Sequence, residues 1–119
     1  MQPNQVFEKD YPVQRLLSLI SDSWTPIVFH CLSGGTKRFS EIHRQLPNIS
    51  KKMLTQVLRR MESNGFVERK VYPVVPPKTE YTLTTAGQKI HEPISMLCQW
   101  TRSNEEFLAG IHENRKLQT

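Results

Sequence analysis

Residues 48–72 read NISKKMLTQVLRRMESNGFVERKVY, and the middle of this segment has the spacing of an amphipathic helix. Its apolar residues recur at i, i+3, i+4 and i+7, which buries one face of a helix. These residues are Leu54, Val57, Leu58 and Met61. Asn48 and Ser50 supply turn and cap chemistry before the helix, and Asn64-Gly65 ends it. The pattern therefore predicts a helix over residues 51–64 with a single buried stripe.

The opposite face of this helix is basic and polar. It carries Lys51, Lys52, Thr55, Gln56, Arg59 and Arg60. The major groove of DNA admits one helix, and side chains of these types contact base edges or neutralise phosphates. Because the N-terminal turns of a recognition helix enter the groove deepest, we predict groove contacts from Lys51, Lys52, Thr55 and Gln56, and a phosphate contact from Arg59. A basic face alone is weak evidence, since most such faces are only solvated.

The flanking segments favour a winged helix-turn-helix. Upstream, an extended piece at residues 36–39 leads into a short helix over residues 40–46, which Pro47 ends. Downstream, residues 66–72 and 80–83 have the composition of strands, and the prolines between them predict a loop. We interpret this hairpin as the wing, with Lys78, Arg69 and Lys70 close to a minor groove or the backbone; alternatively, Pro76 and Pro77 only shape the loop. The complete set of predicted DNA-binding residues is Arg38, Ser40, Ser50, Lys51, Lys52, Thr55, Gln56, Arg59 and Lys78.

Charge is concentrated in the same part of the chain. The net charge is +5, yet residues 37–78 alone hold ten Lys and Arg and three Glu, a local charge of +7. The six basic and eight acidic residues elsewhere leave −2. A basic segment of this kind is typical of a surface that binds a polyanion, whereas an ordinary solvated surface would spread the charge more evenly.

The two ends of the chain predict helices that join two copies. A first helix spans residues 12–20, a second about residues 24–32, and a last one about residues 85–111, with a kink or break at Pro93. The first and last helices carry more apolar surface than so small a domain can cover, although the stripe would alternatively close the monomer core. The predicted dimer interface consists of Val13, Leu16, Leu17, Ile90, Ile94, Leu97, Cys98, Phe107 and Leu108.

The chain has 119 residues, which is enough for one compact domain and too few for two. Residues 1–10 are expected to be a flexible N-terminal arm, residues 11–111 a single winged helix-turn-helix domain that includes the C-terminal dimer helix, and residues 112–119 a frayed tail. The fold class is mainly α with a small β-hairpin (α+β), with dimerisation helices at both ends.

Three segments carry a resemblance to a known family. They are RFSEI at residues 38–42, LPNISKKMLT at 46–55 and VYPVVPPKTEYTLT at 71–84. Over about residues 11–100 the chain resembles the HxlR-type winged-helix regulators of bacteria. The resemblance implies a homodimer that acts at promoters as repressor or activator. Some relatives sense aldehydes, quinones or oxidants through a cysteine directly before the position of Pro12, where this chain has Tyr11; Cys98 is an alternative sensor.

Other function classes fit less well. The four histidines form no HExxH-type ligand pattern and there is no Gly-rich phosphate loop, so we predict no enzyme, no metal site and no cofactor. An RNA-binding protein would expose aromatics for stacking, whereas Phe39, Phe66, Tyr72 and Tyr81 occupy positions typical of a core. A pure protein-interaction module would not need the +7 segment. With no secretory signal or membrane span in the sequence, we expect a cytoplasmic protein; a small-molecule effector stays open, with no residue assigned to it.

Overall fold

The computed structural model describes residues 6–7 and 11–118, and these form helices around a small sheet. The elements are α1 (Pro12–Ile20), α2 (Thr25–Leu32), β1 (Lys37–Arg38), α3 (Phe39–Gln45), α4 (Lys51–Ser63), β2 (Val67–Tyr72), β3 (Lys78–Leu83), α5 (Thr85–Ser103) and α6 (Glu105–Gln118). This order confirms the predicted mainly α fold with a winged helix-turn-helix. The expected N-terminal arm lies outside the described residues, except for Val6 and Phe7.

The sheet has three antiparallel strands in the order β1-β3-β2. Val67 pairs with Leu83 at one end of the hairpin and Tyr72 with Lys78 at the other. Strand β3 thus begins two residues earlier than the sequence predicts, since the ladder reaches Lys78 directly after the prolines. The extended piece before α3 joins the sheet as β1, where Arg38 pairs with Glu80.

The core lies where α2, α3 and α4 meet the sheet. All four residues of the predicted α4 stripe are buried, which confirms that prediction, and Ile42 of α3 is fully enclosed as well. In α2, by contrast, the sequence does not indicate which face is buried: Ile27 is 42% exposed and Phe29 is buried in the core. The reason is that α2 is only eight residues long and apolar on most sides, so that periodicity does not select one face.

Asp22 forms the N-terminal cap of α2. Its Oδ1 accepts hydrogen bonds from the backbone N–H groups of Trp24 (2.9 Å) and Thr25 (2.8 Å). Burial raises the pKa of this carboxyl, but the hydrogen bonds from Thr25 and Trp24 and the charge of Arg60 outweigh it, so that the pKa lies below its usual 3.8. The ionised carboxylate therefore stabilises the fold above that pH, and this stabilisation is lost as pH falls through the lowered pKa.

The C-terminal helix differs from the prediction at Pro93. Helix α5 runs through Pro93 to Ser103, and the break comes instead at Asn104. The missing N–H of Pro93 is tolerated because the next residue, Ile94, is fully buried against the core and keeps this part of the helix in place. Beyond the break, α6 continues to Gln118 and so includes residues 112–118, whose fraying stays a prediction.

Gly87 lies where the first turn of α5 meets the start of the wing. A Cβ atom at this position would stand 2.1 Å from the carbonyl oxygen of Phe66, a backbone atom that cannot move aside freely. We therefore expect Gly87→Ala to lower the free energy of unfolding by about 1–3 kcal/mol, as overpacking does in other cores. Urea denaturation followed by circular dichroism measures this. Gly110→Ala on α6, where a Cβ meets nothing within 4 Å, is the control and should be neutral or slightly stabilising; equal values for both variants would contradict the prediction.

Candidate nucleic-acid interface

Helix α4 separates its buried stripe from a solvent-facing side. Lys51, Lys52, Gln56 and Arg59 are exposed along that side, while Thr55 is half-buried. The Thr55 hydroxyl donates to the carbonyl oxygen of Lys51 at 2.8 Å. Among the residues that the structure describes, the three cations form no ion pair with a carboxylate. Their charge is therefore available to an anionic partner.

The turn before α4 is held at two points. Ser50 caps the helix, because its Oγ accepts a hydrogen bond from the backbone N–H of Met53 at 3.0 Å. The ring Nε2 of His43 lies 3.0 Å from the carbonyl oxygen of Ile49, which is itself buried. The sequence assigns the histidines only to general packing and gives no signal for this contact. Together the two contacts determine how the first turn of α4 is presented.

A shallow surface joins the wing to α4 across the N-terminal end of α3. A crevice of about 470 Å³ is lined by Arg38, Ser40 and Lys78 together with prolines of the wing. A neighbouring hollow of about 360 Å³ is lined by Ser40, Arg44 and Lys51, with Phe39 and His43. Because Ser40 lines both, the two hollows form one surface, which we call the basic trough.

Some cations of this region line the basic trough, and others are paired with groups of the protein itself. Arg38, Ser40, Lys51 and Lys78 of the predicted set meet in the basic trough, and Arg44, which the sequence analysis does not select, lies with them. The signal for Arg44 was its i, i+4 spacing from Ser40, which puts both on one face of α3.

Three other cations are engaged within the protein. Arg60 of α4 pairs with Asp22 at 3.4 Å, and Arg69 of β2 pairs with Glu62 at 3.5 Å. The Lys70 ammonium lies 4.9 Å from the centre of the Tyr72 ring. These contacts stabilise the corner between α1 and α2, the junction of α4 with the wing, and the wing itself.

The predicted dimer residues divide into buried and exposed sets. Ile94 is fully buried within the protomer, and Leu16, Ile90 and Cys98 pack partly against the core. The exposed set consists of Val13, Leu17, Leu97 and Phe107, to which Trp100 belongs as well; each is between 46% and 60% exposed. Leu108 is intermediate. The stripe therefore closes part of the monomer core and leaves an apolar surface on α1, α5 and α6.

Cys31 shows no sign of an activated thiol. Cys31 is half-buried, and its Sγ donates to Oε1 of Gln45 at 2.8 Å. Burial raises the pKa of Cys31, an effect that Lys37 only partly offsets. The Cys31 thiol is therefore protonated at neutral pH, and it is not activated, because the thiolate is the reactive form. At the position that precedes Pro12, the Tyr11 ring lies edge-on to Phe7 with ring centres 4.9 Å apart.

Within the described ranges, no group of three or more His, Cys, Asp or Glu is placed to hold a metal ion. No described helix is both long enough and apolar enough to cross a membrane.

Comparison with known proteins identifies the family. The model of the HxlR-like helix-turn-helix family matches residues 19–108. The chain belongs to the HxlR-like helix-turn-helix family. This confirms the resemblance noted in the sequence.

Individual relatives of this HxlR-like protein agree with the family model. The HTH-type transcriptional regulator YtfH of Escherichia coli (strain K12) is 32% identical over 97% of this chain and 91% of its own length. YybR of Bacillus subtilis (strain 168), another HTH-type transcriptional regulator, is 39% identical over 87% of this chain and 82% of its own. The structure of the redox regulator HypR in its reduced form superposes with a TM-score of 0.78 at 39% identity, covering 84% of this chain and 99% of HypR.

These findings settle the functional class of the HxlR-like chain. It is a transcriptional regulator of the helix-turn-helix type, a class that binds DNA, and the prediction that it is not an enzyme is confirmed by the family and its members.

Proposed function

We propose that the chain is a homodimer that binds a specific, near-palindromic operator in double-stranded DNA and thereby regulates transcription in the cytoplasm. The observation that carries the proposal is the set of exposed cations on α4, next to the basic trough, that form no ion pair with any carboxylate the structure describes. A bound phosphate backbone supplies the counter-charge that the protein does not provide.

The proposed roles follow from position and exposure. Lys51, Lys52, Thr55 and Gln56 lie on the first two turns of α4, the part of a recognition helix that enters the major groove. Thr55 contributes its methyl group and an oxygen acceptor, because its proton is donated to the Lys51 carbonyl. Arg59 lies farther along the helix and contacts phosphate.

The basic trough binds the DNA backbone. Arg38 and Lys78 are exposed and both line it, and they contact phosphate oxygens, with Ser40 as a hydrogen-bond donor. Ser50 uses its oxygen to cap α4, which leaves its hydroxyl proton for a phosphate oxygen. These contacts set the orientation of α4 and carry no sequence information themselves.

The apolar surface on α1, α5 and α6 supports the homodimer. A surface of half-exposed Val, Leu, Trp and Phe side chains is costly in water and gains free energy when a second copy covers it. In helix-turn-helix dimers the two recognition helices lie about 34 Å apart, one turn of DNA, which is the reason to expect an operator with two similar halves.

A salt series tests the proposal. Binding is measured by fluorescence anisotropy on duplex DNA from the upstream region of the protein's own gene and on a scrambled duplex of equal length. We expect a strong preference for the upstream DNA and a log–log salt slope of about −0.9 for each phosphate contacted. Equal affinity for both duplexes would contradict specific recognition at this site, and no binding at low salt would favour a protein-interaction module instead.

A further inference from the structure

Two histidines meet where the DNA-binding core packs on the helix that carries the apolar surface. Nδ1 of His30, on α2, lies 3.2 Å from Nε2 of His91, on α5. The rings are stacked, with centres 5.4 Å apart and planes inclined by 23°. A neutral imidazole has one N–H donor and one acceptor nitrogen, so this hydrogen bond requires that at least one of the two rings be neutral.

Within the described residues, no carboxylate acts on His91 as a compensating negative charge. Around His30 the lining residues are Ile27, Cys31, Ser33 and Gln45, and around His91 they include Thr82 and Gln88 from β3 and α5. The nearby charged groups are Lys37 on β1, which acts on Cys31, and Lys89 and Glu92, both exposed on α5 beside His91. In the part of the chain that the structure describes, the group whose charge acts on His91 is His30.

Protonation of this pair is therefore unfavourable. Burial lowers the pKa of His91 below its usual 6.5, and the charge of a protonated His30 lowers it further. One proton can be shared across the hydrogen bond, but a second removes the acceptor and puts two positive charges side by side. Since the unfolded chain binds protons at its ordinary pKa, stability is full above about pH 6.5 and falls as pH drops below it.

The contact between His30 and His91 joins α2, which belongs to the core of the domain, to α5, which carries part of the apolar surface. Helix α2 packs in the core against α3 and β3, whereas α5 extends beyond the core to the exposed Leu97 and Trp100. In a dimer that uses α5, any change in the packing of α2 on α5 changes the distance between the two α4 helices. Operator binding depends on that distance.

We propose that the His30–His91 pair is a pH-sensitive latch: with at least one ring neutral, it holds α2 against α5 in the orientation that fits the operator, and with both rings protonated, it releases the two helices and weakens binding. The expected effect on operator affinity rests on the proposed homodimeric function, whereas the separation of α2 from α5 on protonation does not.

The matched variant is the double substitution His30→Gln and His91→Gln. Two glutamines can hydrogen-bond to each other across the same gap but do not titrate in this range. The control is His112→Gln, which removes an exposed histidine on α6. Affinity for the upstream duplex is measured at about pH 7.5 and pH 5.5, on either side of the ordinary histidine pKa, in buffers with EDTA.

We expect the wild type and His112→Gln to lose about tenfold more affinity on acidification than the double variant, which corresponds to about 1.4 kcal/mol of binding free energy. A parallel loss in all three proteins would overturn the latch and leave the proposed function standing. As a readout without DNA, the imidazole C–H resonances are followed by NMR. A titration of His91 below 6.5 that is coupled to the protonation of His30 supports the latch, and a titration of His91 that is independent of His30 overturns it.

Discussion

Replacement of Lys52 and Arg59 together by glutamate is expected to reduce operator affinity about a thousandfold. Both side chains are exposed on α4, and in a dimer the two substitutions remove four contacts to DNA. At about 1 kcal/mol for each lost contact the total is about 4 kcal/mol, or three orders of magnitude. Anisotropy titration at fixed salt measures the loss, and the salt slope should become shallower by about 2, because the two phosphates contacted by the Arg59 side chains of the dimer are no longer neutralised.

The control for this experiment changes the net charge equally at another place. Lys89→Glu with Arg102→Glu reverses two exposed cations of α5 that lie outside the basic trough. We expect this variant to bind within about tenfold of wild type, through the general effect of net charge alone. If both variants lose affinity equally, α4 is not the reading element.

A single carboxylate in the apolar surface is expected to separate the dimer. Leu97 is 54% exposed on α5, next to the exposed Trp100 on the following turn. Leu97→Asp would put a charge into an interface where it finds no partner, a cost large enough to dissociate a small dimer. Sedimentation velocity should show a monomer, and affinity for a duplex with two half-sites should fall about a hundredfold, since the second half-site no longer adds its binding energy.

Two comparisons make this result specific. Affinity for a duplex with one half-site should be unchanged, because α4 is far from the substitution in sequence and packs through other residues. Ile27→Asp places the same charge at an apolar residue of similar exposure on α2, outside the predicted interface, and should remain dimeric. A monomeric wild type at micromolar concentration would show that the apolar surface serves something other than self-association.

The sequence predicts well those features that local physics determines. The stripe of α4 is correct because thirteen residues cover more than three turns, enough for the helical period to stand out. The hairpin is correct because the prolines between its strands exclude any other element. The position of the break near Asn104 is missed because Pro93 is the stronger local signal, while the burial of Ile94 that overrides it is a tertiary effect.

The features that the sequence does not predict depend on contacts between residues that are distant along the chain. Arg60 and Lys52 look alike in the sequence, yet Arg60 is 38 positions from Asp22 and pairs with it in space. His30 and His91 lie 61 positions apart, and no local pattern connects them. The exposed candidates Lys51, Lys52, Gln56 and Arg59 are recognisable from residue type and helical face alone, but their DNA contacts stay predictions.

The buried and the exposed faces of α4 consist of different residues, and this affects how such regulators diverge. The side chains that attach the helix to the core are Leu54, Val57, Leu58 and Met61, and those that face outward are a different set. If α4 reads the operator as proposed, duplicated genes can acquire new target promoters through substitutions at Lys52 and Gln56 without a loss of folding. Thr55 is the exception, because its half-buried hydroxyl is bonded to the helix backbone. Reprogramming of the regulator should accordingly begin with Gln56 and leave Thr55 in place.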